Sequence, residues 1–188
     1  MSKRDDILNA TLELINEEGL QSVTFQKIFK RANVGSGTLY NYFKNKDEII
    51  GELFIQSINI LESYELPENY ESMELIEKFN TVINIFINFM KNYEKEYLFA
   101  ENFSDYHIIK DRNMISTDEY YGVLKEFHSI IEMGQEKGIF RKMDVALSIQ
   151  ILSGIISTPY KGSNHGKYDF DDNCKNEIRL SCWKALQI

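Results

Sequence analysis

The chain has 188 residues and an acidic balance, with 21 Lys and Arg against 29 Asp and Glu, a net charge of −8. This length allows one medium domain, or a small head on a larger body. An acidic chain does not grip nucleic acid along its whole surface, so any contact with DNA must be local. Residues 1–50 hold seven basic groups (Lys3, Arg4, Lys27, Lys30, Arg31, Lys44, Lys46) and seven acidic ones (Asp5, Asp6, Glu13, Glu17, Glu18, Asp47, Glu48). The excess negative charge therefore lies in residues 51–188, where it discourages loose binding to phosphate.

Strand-like alternation is scarce and helical spacing recurs, which predicts an all-α chain. Ser2 to Asp5 reads as a capping box, and Ile7, Leu8, Thr11, Leu14 and Ile15 follow on one face. Gly19 stands at a C-cap, so the first helix is expected over Lys3 to Glu18. Thr24 is a second N-cap, with Val23 placed to staple onto Ile28; Phe25, Ile28, Phe29 and Ala32 share a face. Asn33-Val34-Gly35 reads as a tight turn before a short helix from Ser36 to about Tyr42. Asn45 caps a longer helix to about Tyr64.

Pro67 breaks the pattern within an acidic segment. Helices are then expected over about Met73 to Tyr93, Tyr97 to Phe103, Thr117 to Lys137 and Asp144 to Ser157. Pro159, Gly162 and Gly166 predict a loop, and a last helix is expected from about Phe170 to Leu186. Cys174 and Cys182 lie about two turns apart in that helix, too far for a disulfide, and are expected as reduced thiols. No export signal or membrane span is expected, which points to a soluble, cytoplasmic protein.

Residues Thr24 to Lys46 carry the most information. Two short helices joined by a three-residue turn are the geometry that sets one helix into a DNA major groove. Phe25, Ile28, Phe29, Val34, Leu39 and Phe43 are expected to pack the helices together. Ser36, Gly37, Thr38, Tyr40, Asn41 and Tyr42 then face outward, small or hydrogen-bonding as an approach to bases and phosphates requires. Tyr40 and Tyr42 fall on different faces from Leu39 and Phe43, which favours their exposure.

Gly19, Thr24, Ile28, Ala32-Asn33-Val34, and above all Gly37-Thr38-Leu39-Tyr40-Asn41-Tyr42-Phe43 with Lys46, resemble the TetR family of bacterial repressors. The resemblance covers about the first fifty residues. It implies a head over residues 1–46 and a helical effector-binding and dimerisation body over residues 47–188. It implies phosphate contacts from Thr24, Thr38, Tyr42 and Lys46, with base-edge contacts from Ser36, Gly37, Tyr40 and Asn41; Lys27 is added as a further candidate contact. Gly35 stands where the family usually has a capping Ser, and Asn33 where Gly is common. Both substitutions suit the turn, since Gly is a tolerable N-cap and Asn accepts left-handed geometry.

In the family the middle helices enclose a small-molecule pocket. Phe86, Phe89, Phe103, Tyr106, His107, Tyr120 and Phe127 are the candidates here, and they suit an apolar or aromatic effector. Ile149, Leu152, Ile156, Ile178, Cys182 and Ala185 are candidates for a homodimer interface, and they equally suit the core of one chain. The implied partners are an operator in double-stranded DNA, a small-molecule effector and a second copy of the chain. No metal motif, cofactor loop or catalytic signature is present, so no cofactor, metal or enzymatic activity is expected. Two other readings stay open: a DNA-binding regulator without an effector, and an all-α ligand-binding protein.

Overall fold

The structure, a computed structural model, describes residues 2–103 and 122–188. Nine α-helices occur among the described residues: α1 (Lys3–Glu18), α2 (Phe25–Arg31), α3 (Ser36–Tyr42), α4 (Lys46–Glu62), α5 (Leu75–Asn92), α6 (Glu94–Phe103), α7 (Gly122–Glu136), α8 (Val145–Asn164) and α9 (Asp172–Leu186). Short 3-10 turns occupy Leu20–Ser22 and Tyr70–Ser72. No described helix is long and apolar enough to cross a membrane. The chain divides into two compact units, residues 1–61 with 92–119, and residues 62–91 with 120–188.

In the first unit the local signals place the helices. The Ser2 hydroxyl accepts from Asp5 N at 3.2 Å while Ser2 N donates to the Asp5 carboxylate at 2.8 Å, a reciprocal capping box. The Thr24 hydroxyl accepts from Lys27 N at 3.3 Å. Asn45 Oδ1 accepts from Glu48 N at 2.9 Å, and the Glu48 carboxylate reaches back to Lys44 N at 2.8 Å. Ile7, Leu8, Ile28, Leu39, Phe43, Ile49, Ile50 and Phe99 close a continuous apolar core. That core includes α6 as well as α1 to α4, with Asn16 Nδ2 donating to Lys95 O at 3.3 Å.

The second unit is built from α5, α7, α8 and α9. Phe79, Phe140 and Trp183 meet edge to face, with ring centroids 4.8 to 5.8 Å apart. Gly134 makes room for this knot, because a Cβ there would lie 2.0 Å from the Phe140 ring. The chain end is clipped by Arg141 N donating to Leu186 O and Ile188 N donating to Ile139 O, at 2.8 and 3.2 Å. The Glu62 carboxylate caps α7, accepting from Val123 N at 2.7 Å and Leu124 N at 3.2 Å. Gly122 permits this, with φ +55 and a hypothetical Cβ only 2.1 Å from Glu62 Oε2.

The expected loop at Pro159 is instead helix. α8 runs on to Asn164 with Pro159 inside it. A proline deletes one intrahelical donor and crowds the carbonyl four residues back, which a chain-local reading takes as a stop. Here the turn is held from outside: the Tyr168 hydroxyl donates to Pro159 O at 2.8 Å. Chain reversal then comes at Gly166, with φ +70, and Asp171 caps α9 by accepting from Cys174 N at 2.8 Å. Cys182 is buried, which pushes its thiol up to about 12, and Cys174 is half-buried; both are free.

Candidate nucleic-acid interface

The helix-turn-helix is set by a few packed side chains. Ile28 on α2 and Leu39 on α3 are both fully buried, and Phe43 just after α3 is 2 % exposed. The turn between the two helices uses Asn33 with φ 52, where a short polar side chain tolerates the left-handed region. Val34 N donates to Phe29 O at 3.0 Å and closes the turn. Gly35 is the N-cap of α3 and makes no side-chain capping bond, so the start of the helix keeps its backbone donors uncapped by a side chain.

With Leu39 and Phe43 turned inward, the rest of α3 faces out. Ser36, Gly37, Tyr40, Asn41 and Tyr42 are exposed and Thr38 is half-buried. Among the described residues, none of the Ser36, Thr38, Tyr40, Asn41 and Tyr42 side chains has a hydrogen-bond partner. A Cβ on Gly37 would meet nothing within 4 Å, so the helix presents bare backbone there. Tyr40 is 60 % exposed and Tyr42 46 %, both unusual for large rings.

The cations of the first unit differ in their engagement. Lys27 is ion-paired with Glu18. Arg31 bonds Glu17 with both terminal nitrogens and reaches Glu13 at 3.3 Å, and Lys95 also reaches Glu13 at 3.3 Å. Hydrogen bonding to Arg31 is the main cause that lowers the Glu17 carboxyl below its usual range. Arg4 pairs with Glu52 and lies over the Phe43 ring. Lys46 is half-buried, its ammonium donating to Leu20 O at 3.2 Å and Val23 O at 3.4 Å. Lys30 and Lys44 carry no ion pair among the described residues. The pairings across α1 and α2 join residues far apart in sequence, and no local pattern announced them.

The aromatic candidates of the body are distributed as follows. Phe86 and Phe127 pack with ring centroids 5.0 Å apart, and Phe89 and Phe127 are buried in the second unit. Phe103 stacks on Phe99 at 4.9 Å in the first unit. Tyr106, His107 and Tyr120 lie outside the described residues. On α8 and α9, Leu152, Ile156, Ile178 and Cys182 are already buried within the single chain, while Ile149 and Ala185 are half-buried. The large exposed apolar side chains on those helices are Leu147 and Leu180, and a Cβ on Gly154 of α8 would meet nothing within 4 Å.

Residues 7–53 match the family model for bacterial regulatory proteins of the tetR family, and residues 54–188 match that for the tetracyclin repressor-like C-terminal domain. A helix-turn-helix regulator of Haemophilus influenzae is 48% identical over 46 residues, 24% of this chain and 25% of that protein. The class D tetracycline repressor protein of Escherichia coli is 31% identical over 71 residues, 38% of this chain and 33% of that protein. The chain thus spans a quarter to a third of the length of these relatives. A tetR-family transcription regulator of Shewanella sp. PV-4 shares the fold over 100% of both chains, with a TM-score of 0.77 at 14% identity.

Proposed function

Because this chain belongs to the TetR family of bacterial transcriptional regulators, with a helix-turn-helix DNA-binding domain, we propose that it acts as a dimeric repressor whose α3 reads a near-palindromic operator. One observation carries the reading: the outward face of α3 offers a row of polar side chains with no partner among the described residues. Such groups gain most from base edges and phosphates, since they give up only water on binding. Tyr40, Asn41, Ser36 and Gly37 approach bases, while Thr24, Thr38, Tyr42 and Lys46 hold phosphates. Lys27 must exchange Glu18 for a phosphate, so its net contribution is small.

A single short helix binds weakly, and two heads roughly 34–36 Å apart reach successive major grooves. The exposed Leu147 and Leu180 on α8 and α9 support pairing through those helices. In the body, Phe86, Phe89 and Phe127 support an apolar or aromatic effector, which releases the operator by favouring a conformation with the wrong head spacing. The name of the E. coli relative, a tetracycline repressor, supports repression as the sign of control.

The test is a selection of genomic fragments with purified protein, read by sequencing and repeated with Tyr42→Ala. Enrichment of one palindromic site, lost in the folded variant, is the expected result. Failure to enrich any site, even after refolding from denaturant to strip bound ligand, overturns the reading.

A further inference from the structure

Phe25 opens α2 directly after the capping Thr24 and is only half-buried at the edge of the head core. Its ring lies 5.1 Å from that of Tyr40, tilted by 58°. Tyr40 is 60 % exposed, and its hydroxyl has no partner among the described residues. Tyr42, the other exposed ring of α3, has no ring partner among the described residues. An unsupported tyrosine on a helix surface samples several rotamers, and binding must then select one of them. A ring packed against its flank, at the tilted geometry that aromatic quadrupoles favour, removes that choice beforehand.

We infer that Phe25 is a positioning residue for sequence readout: it holds the Tyr40 ring in place on α3 and so sets base preference at the pair Tyr40 approaches. The inference rests on the reading of α3 as the base-contacting helix. Phe25 touches no DNA in this account; it acts through Tyr40. A purely structural role for Phe25 would weaken every operator alike, whereas a positioning role changes discrimination at one symmetric position of each half-site.

The experiment uses the full chain and the selected operator, with a set of operators substituted one base pair at a time, symmetrically in both half-sites. Phe25→Leu, Phe25→Tyr, Tyr40→Ala and the Phe25→Leu/Tyr40→Ala double variant are compared, and melting is recorded for each. Phe25→Leu is expected to lose about three- to tenfold in affinity per half-site and to flatten preference at the position that Tyr40→Ala flattens. The double variant is expected to bind no worse than Tyr40→Ala alone, because the two residues act as one unit. Phe25→Tyr keeps a ring and is expected to keep the preference. Should Phe25→Leu melt early, Phe25→Met supplies the same readout with a more adaptable apolar side chain.

Equal weakening across all operators, additive losses in the double variant, or preserved preference in Phe25→Leu each overturn the inference. If Tyr40→Ala changes nothing while Tyr42→Ala abolishes binding, the inference falls and α3 remains the reader. If neither tyrosine matters, the reading of α3 falls with it.

Discussion

Two groups of polar side chains in the DNA-binding head are treated in opposite ways. Lys27 and Arg31 on α2 and Lys95 on α6 are tied to Glu13, Glu17 and Glu18 of α1, so that surface is satisfied by its own charges. On α3 the hydroxyls and amide of Ser36, Thr38, Tyr40, Asn41 and Tyr42 have no partner among the described residues. Exposed ion pairs of the first kind contribute little to stability, because water screens them and ordering two long side chains costs entropy. Their effect is to leave Lys27 and Arg31 with less net attraction for phosphate than unpaired cations would have. The contrast teaches that a balance of seven basic and seven acidic groups over residues 1–50 is spent within the head, while the polar side chains of α3 keep no partner among the described residues.

The largest effect expected from breaking this arrangement is loss of the platform itself. Leu39 is fully buried beneath the exposed face of α3, and Leu39→Ala should cost about 2–5 kcal/mol. Thermal melting followed by circular dichroism reads it, and DNA binding should fall with the fold. Gly134→Ala probes the body in the same way without touching the head. Its new Cβ meets the Phe140 ring, and relief of that collision should cost about 1–3 kcal/mol, leaving α3 intact at temperatures where the variant stays folded.

A smaller, selective effect is expected on the exposed face. Tyr42→Ala should lower operator affinity by about 1–3 kcal/mol with melting unchanged; anisotropy titration with labelled operator measures it. Smaller still is the pH response of Glu62. Burial raises its carboxyl above the ordinary range against the opposing bonds from Leu124 and Val123 N–H. A raised acid favours the folded state most below its unfolded pKa, and that contribution is lost as pH rises through the folded value. Glu62→Gln should therefore gain stability relative to the parent as pH rises from below the carboxylate range to neutrality. A melting difference between the two proteins that is constant with pH would show that Glu62 does not titrate in this way.

Much of the head was legible because its signals are local. Ser2 with Asp5, Thr24 before Lys27, and Asn45 before Glu48 each announce a helix start within one turn, and the structure uses all three. Leu39 and Phe43 were separable from Tyr40 and Tyr42 by helical phase alone. What escaped depends on partners distant in the chain. The continuation of α8 past Pro159 comes with a bond from the Tyr168 hydroxyl to Pro159 O, a pairing that no spacing rule announces. The ion pair of Lys27 with Glu18 needs α1 and α2 to be docked first. Phe25 read as core because a pattern of apolar positions cannot show that one ring edge braces an exposed neighbour. On α8 and α9 the apolar stripe was ambiguous for a similar reason: Leu152 and Ile178 face the interior of the same chain, and periodicity does not say which interior a stripe serves.

The most direct test of this contrast is one series of binding titrations on a single operator, at one salt concentration. It compares Ser36→Ala, Tyr40→Ala, Asn41→Ala and Tyr42→Ala on α3 with Lys27→Ala and Arg31→Ala on α2. The account predicts losses of about tenfold or more from the α3 set and about threefold or less from the paired cations, with all six proteins folded. Equal or larger losses from Lys27→Ala and Arg31→Ala would contradict it, placing DNA against the face that its own charges already satisfy.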